Sequence, residues 1–170
     1  MSNRSLLFLL LLVLAIFLVV KFDVPTNVKI GVTNLIYGDE MRGIKGFRVS
    51  VDAPNPELEK DGLRREEVLR ELTAKIEKAG VRSLPYELWQ KTPGKPSLSV
   101  SVQAVKQAGG IYQYTVTIEV TKSEAENSAT GSEKSKTIWS TYEMGEGAVS
   151  DIRMNINEIT GVFLKARPGG

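Results

Sequence analysis

The stretch from Ser97 to Thr121, SLSVSVQAVKQAGGIYQYTVTIEVT, restricts the fold more than any other part of the chain. Apolar and polar residues alternate through it, pause at Gly109-Gly110, and alternate again. Leu98, Val100, Val102 and Ala104 share one face of the first run, and Tyr112, Tyr114, Val116, Ile118 and Val120 share one face of the second. Side chains of an extended chain point to opposite sides in turn. Period-two patterning on both sides of a glycine pair therefore predicts a β-hairpin with one buried face. A sheet with a single apolar face needs a cover, and the chain supplies two amphipathic helices for it.

The first helix is expected from Leu63 to Ala79, where Val68, Leu69, Leu72, Ile76 and Ala79 form a stripe at helical spacing. Glu66 and Glu67 fall in its first turn and Lys75 and Lys78 near its end, each complementing the helix dipole. Gly80 is placed to end it in a left-handed conformation, and Asp61 to cap its start. The closing helix carries Val149, Ile152, Ile156, Ile159, Phe163 and Ala166 at steps of three and four. Ser150 or Asp151 can cap it, and Pro168 ends it.

Between and before these helices lie further strands. Phe47, Val49 and Val51 alternate with polar residues until Ala53-Pro54-Asn55-Pro56 stops the run. Val81 to Leu84 reads as a short strand completing a right-handed β-α-β crossover. Pro85 to Pro96 reads as a loop with at most one helical turn, and Thr137 to Tyr142 as the last strand. The polar run Lys122 to Lys136 is a mobile loop or an elongated hairpin tip. The order β-α-β-β-β-β-α predicts a two-layer α+β sandwich, its sheet mostly antiparallel and both helices on one face.

The N-terminus is of a different kind. Leu6 to Val20 is an unbroken apolar run between Arg4 and Lys21. As a helix it spans about 22 Å, short of the roughly 30 Å of a bilayer core, which suits a signal peptide. No A-x-A-like pair of small residues follows it, which suits an uncleaved anchor instead, with Arg4 and Lys21 snorkelling to the interfaces. Both readings export the domain, anchored at the inner membrane with the domain in the periplasm or secreted. The organisation is then residues 1–22 as anchor or signal, 23–45 as a spacer and 46–170 as one domain. Val28, Ile30 and Val32 alternate within the spacer and allow an edge strand, but four glycines between 31 and 46 favour a loose connection.

The chain has no cysteine and no histidine. It therefore forms no disulfide, offers no thiolate nucleophile or Cys-ligated metal, and lacks the commonest general base and metal ligand. A net charge of +2, with acids and bases interleaved, does not suit a general nucleic-acid binder. No phosphate-binding loop, dinucleotide fingerprint or EF-hand loop is present, and no cofactor is implied. The carboxylate pairs Glu57/Glu59 and Glu66/Glu67 read as solvated charge, and Arg167-Pro168-Gly169-Gly170 as a frayed end.

Several features taken in order resemble a known family. Gly62-Leu63 opens the first helix and Ala79-Gly80-Val81 ends it. A Pro-x-Leu-x-Val strand (Pro96, Leu98, Val100), a Tyr-x-Tyr-x-Val strand (Tyr112, Tyr114, Val116) and a Thr-x-Trp strand (Thr137, Trp139) follow, with a closing helix. From Gly62 to Ala166 the pattern resembles a family of small exported bacterial proteins of unassigned function. The architecture is similar, more remotely, to the lipopolysaccharide-assembly lipoprotein and the N-terminal domain of the Tol-system propeller protein. Those proteins work by binding partners; this chain has no lipidation cysteine, so its likeness to the lipoprotein is one of architecture alone.

The candidate site follows from the alternation. Ser99, Ser101 and Gln103 on one strand, and Gln113, Thr115, Thr117 and Glu119 on the next, fall on the face away from the core. Such a face is either simply solvated or a broad, nearly uncharged docking surface. Tyr86 and Trp89 either fold over a helix end or offer aromatic anchors to a partner. Trp139, by alternation, is expected on the uncovered face beside the Ser/Thr patch. The function expected is a non-catalytic envelope protein, attached through residues 6–20 or secreted, that binds another envelope protein or polymer through this face or the 122–136 loop. The alternative is a hydrolase or lyase built on carboxylate and tyrosine.

Overall fold

Residues 30–31, 35–36, 38–127 and 132–167 are described by a computed structural model. In chain order the elements are β1 (Ile30–Gly31), β2 (Leu35–Ile36), a 3-10 turn (Gly38–Met41), β3 (Gly46–Val51), α1 (Pro56–Lys60) and α2 (Arg65–Lys78). There follow β4 (Arg82–Ser83), α3 (Tyr86–Gln90), β5 (Ser97–Lys106), β6 (Tyr112–Asn127), β7 (Ser132–Gly147) and α4 (Val149–Ala166). The protein is α+β. Its strands form one sheet in the order β1-β7-β6-β5-β3-β4, with β2 also paired to β7. The apolar stretch over 6–20 lies outside the described residues; among those, no helix is long and apolar enough to cross a membrane.

The hairpin forms as its alternation demands. β5 and β6 pair antiparallel from Ser97↔Thr121 to Lys106↔Tyr112, and Gly109 and Gly110 turn the chain with φ of 79° and 78°. That conformation is cheap only without a Cβ. Leu98, Val100, Tyr112, Tyr114, Val116, Ile118 and Val120 are buried, as expected from their shared face. The polar run after Thr121 resolves into the elongated hairpin, because β6 continues to Asn127 and β7 begins at Ser132.

The sheet is mixed. β3 runs parallel to both β4 and β5, whereas β6 and β7 continue antiparallel. The chain leaves β3 and returns beside it across α2, and parallel neighbours require a crossover of this kind. α2 buries Val68, Leu72 and Ile76. Its end is a Schellman turn: Val81 N–H reaches the Ile76 carbonyl and Gly80 N–H the Glu77 carbonyl, both at 2.9 Å, with Gly80 at φ 77°. α4 buries Ile152, Ile156, Ile159 and Phe163, each worth roughly 1.5–3 kcal/mol of transfer free energy when fully buried. α4 lies against β6 and β7, α2 lies against β3 and β4, and the two helices touch. The Phe163 ring meets Phe47 edge-on at 5.6 Å and Trp139 at 5.5 Å, so the helix is keyed to strands from both halves of the sheet.

Four expectations are corrected. Within the stretch assigned as a spacer over 23–45, β1 and β2 pair with β7, and Met41 is 1% exposed within the core. Asp61 does not cap α2, whose start at Arg64 has no side-chain cap. The proline-rich stop after β3 contains a helix, α1, capped by Asn55 Oδ1 accepting from Leu58 N–H at 2.8 Å. The fourth concerns Trp139, which is 1% exposed in the core. The register shifts between Val120↔Trp139 and Thr121↔Thr137, leaving Ile138 as an extra residue. A bulge of this kind breaks the alternation, so Ile138 and Trp139 are both buried although adjacent.

Candidate functional site

The cross-strand register assembles the outer face row by row. Ser50, Ser99, Glu119 and Ser140 lie side by side. The next row is Ser101, Thr117 and Tyr142, then Gln103, Thr115 and Met144, then Val105, Gln113 and Glu146. Each stands one residue out of phase with a core side chain, so the period that buries Leu98 and Ile118 presents these residues on the other side. Among the described residues, no hydrogen bond engages the side chains of Ser99, Ser101, Gln103, Gln113, Thr115 or Thr117. The candidate residues on β5 and β6 are therefore brought together as predicted, and Trp139 is not among them.

Two residues take its place. Tyr142 faces Thr117, and Met144, which is exposed, faces Thr115. Simple alternation from Ile138 misses both, because it puts Tyr142 on the same face as Ile138. Counting back from Gly145 and Gly147, beyond the bulge, places Tyr142 and Met144 outward.

At one end of this face lies an aromatic cluster. Arg48 is the outward neighbour of the buried Phe47 on β3. Its guanidinium sits 5.1 Å from the centre of the Tyr86 ring and 4.9 Å from that of Trp89. The two rings are 5.8 Å apart and tilted by 33°. Pro85, which has no N–H to leave unsatisfied, introduces the single turn of α3, and the i, i+3 spacing puts both aromatics on one side of it. Tyr86 is 53% exposed, and its hydroxyl accepts from Gln90 Nε2 at 2.7 Å. Trp89 is half-buried, and its indole N–H is buried with no acceptor among the described residues. Tyr86 and Trp89 thus adjoin the Ser/Thr rows through Arg48.

A second polar cluster joins α1 to the hairpin. Asp61 Oδ2 accepts from Lys106 Nζ at 2.5 Å and from the Tyr112 hydroxyl at 2.8 Å. The Lys106 and Tyr112 hydrogen bonds hold the Asp61 carboxyl below its usual range. Loss of hydration, then the Asp61 bond, push the Tyr112 phenol up, and the Asp61 bond pushes Lys106 up. Every shift here moves away from neutrality, where a general acid or base must work.

A cavity of roughly 450 Å³ lies between α2 and α4, lined by residues that include Leu72, Lys75, Arg153, Met154 and Asn157. Partial desolvation holds the Lys75 ammonium below its usual pKa. Its Nζ donates to both oxygens of Asn157, backbone and side chain. Across the same groove Arg153 ties the helices together, reaching Glu67 at 2.5 Å, Glu71 at 2.9 Å and the Gly62 carbonyl at 2.7 Å. Among the described residues there is no cluster of three carboxylates that could hold a metal ion. Compared with protein-family models, with curated proteins and with solved structures, the chain matches none.

Proposed function

We propose that this chain is a non-catalytic binding module, exported and either tethered or released at its N-terminus, that docks another envelope protein through the outer face of its sheet. The reading takes the domain as a two-layer sandwich: α2 and α4 cover the face carrying Leu98 and Ile118, and the opposite face is left to a partner. The observation that carries it is the unbroken lattice of uncommitted hydroxyl and amide groups over β5 and β6. It runs toward an Arg–Tyr–Trp cluster in which the Tyr86 ring is exposed. Short polar side chains lose little rotamer entropy on docking, and tyrosine, tryptophan and arginine are the usual anchors of protein interfaces.

The alternative, a hydrolase or lyase of the envelope, draws less support. Its natural carboxylate–tyrosine pair, Asp61 and Tyr112, is locked with Lys106 at pKa values driven away from neutrality. Lys75 is shifted toward neutrality and borders a cavity, but the two Asn157 oxygens favour its protonated form.

Photo-crosslinking in cells tests the proposal, with probes at Ser101, Thr117 and Tyr142 and controls at Lys78 and Lys165 on the helices. A discrete protein adduct from the sheet positions alone is expected. Adducts of equal yield from helix and sheet positions, or none from the sheet, would overturn it.

A further inference from the structure

A cleft of roughly 400 Å³ opens where the turn before β3 meets β4, the loop between α3 and β5, and the base of the β6–β7 ribbon. Arg42, Lys45, Arg82 and Lys122 line it, and no carboxylate does. The whole chain carries a net charge of only +2, so four cations around one opening are a concentration that the totals conceal. Glu40, two residues before Arg42, gives its carboxylate to Lys136 at 3.1 Å. Lys122 instead donates to the Glu40 backbone carbonyl at 2.7 Å, a neutral acceptor that fixes the ammonium without cancelling its charge. Among the described residues none partners the side chain of Lys45 or Arg82.

Like charges held around a low-dielectric cleft repel one another and focus a positive potential into it, and a bound anion relieves both. A single carboxylate leaves most of the charge of Lys45, Arg82 and Lys122 uncompensated, whereas a phosphoryl group brings up to two negative charges and three acceptor oxygens. Guanidinium forks match those oxygens in pairs, and ammonium groups contribute as point charges. The cleft is of the size that takes a small phosphorylated molecule or the headgroup of a phospholipid. We propose that it binds a phosphate-bearing ligand, with Lys45 and Arg82 as its free cationic contacts and Lys122 as the fixed one. The proposal does not rest on docking at the outer sheet face.

The test uses the full chain, isotopically labelled in uncharged detergent at low ionic strength, with amide shifts of Gly43 and Gly46 as the readout. Inorganic phosphate and soluble dihexanoyl phosphatidic acid are titrated separately. Saturable shifts at these glycines are expected with at least one of the two. Phosphatidic acid binding at least tenfold tighter assigns the site to lipid headgroups, and comparable or tighter binding of inorganic phosphate assigns it to soluble phosphates. The double variant K45Q/R82Q should weaken binding at least tenfold, and R70Q/K78Q, which removes the same charge from α2, should change it less than twofold. No saturable shift with either probe, or equal weakening by both double variants, would overturn the proposal. An amide spectrum retained by each variant will show that it is folded, so that a loss of binding reports on the cleft.

Discussion

Gly145 stands opposite Tyr114 in the β6–β7 ladder, and a methyl group on it would lie 2.7 Å from the phenol oxygen and 2.8 Å from the carbon that bears it. The ring thus occupies the space that a side chain on β7 would fill. It is buried there, its hydroxyl accepting from the buried Asn155 Nδ2 at 2.7 Å. Gly145→Ala is therefore expected to lower stability by about 1–3 kcal/mol through overpacking. The check is a urea midpoint that falls while the slope stays constant. An unchanged midpoint would mean that the ring has room to swing.

The bulge at Ile138 makes a separate prediction about two aromatics three residues apart. Trp139 is in the core against Phe163, so Trp139→Ala should cost about 3–5 kcal/mol. Tyr142 lies on the outer face opposite Thr117, so Tyr142→Ala should cost under about 1 kcal/mol. Denaturant unfolding of the two variants decides this. A reversed order would place the phase of β7 where simple alternation puts it.

That contrast shows which parts of the fold were legible. The stripes of α2 and α4 and the two faces of β5 and β6 follow from periodicity, because each residue there is a fixed rotation from the last. Alternation misplaces Trp139 because one extra residue, Ile138, resets a period of two, and no single side chain announces it. α1 has a sufficient local signal, Asn55 at the cap and Pro56 at the first helical position, but the two prolines around it read first as a stop. Asp61 stands where a cap would in the sequence, but its partners Lys106 and Tyr112 lie more than forty residues away in the chain. The basic cleft is the extreme case. Arg42, Lys45, Arg82 and Lys122 are dispersed over some eighty positions, and only the folding of four segments onto one corner gathers them.

Asp61 also gives the protein a pH dependence of definite sign. Its carboxyl is held below the ordinary value of 3.8, chiefly by Lys106 and then Tyr112. A carboxyl depressed on folding contributes stability that is fully present above its unfolded pKa and lost as pH falls through the folded one. Glu67, depressed by Arg153, acts in the same direction. Lys106 is raised, so its share is present below the usual lysine range and lost as pH rises through the elevated value. Asp61→Asn should therefore lower the midpoint at neutral pH and flatten the acid limb below about pH 4, and it should soften the alkaline limb as well. Urea midpoints across the pH range measure all three effects. A variant whose acid limb parallels the parent would show that the three-residue contact does not persist in solution.

The aromatic cluster separates stability from binding. Trp89 keeps a buried indole N–H with no acceptor among the described residues, while its ring face lies 4.9 Å from the Arg48 guanidinium. Trp89→Phe removes the unsatisfied donor and preserves a ring for the cation. An orphan N–H costs about 1–3 kcal/mol, and the smaller ring gives back part of this in lost contact on a half-buried side chain. The isolated protein is expected to gain up to about 1 kcal/mol, read from the urea midpoint. Crosslinking from Ser101 and Thr117 should fall at the same time, because the smaller ring loosens the Arg48–Tyr86 anchor at the end of the docking face. Residues that lower the stability of the free protein while serving a contact are a general mark of binding sites. If Trp89→Phe destabilises the chain and leaves the adducts intact, the indole belongs to the packing of α3 alone, and the docking face ends at the Ser/Thr rows.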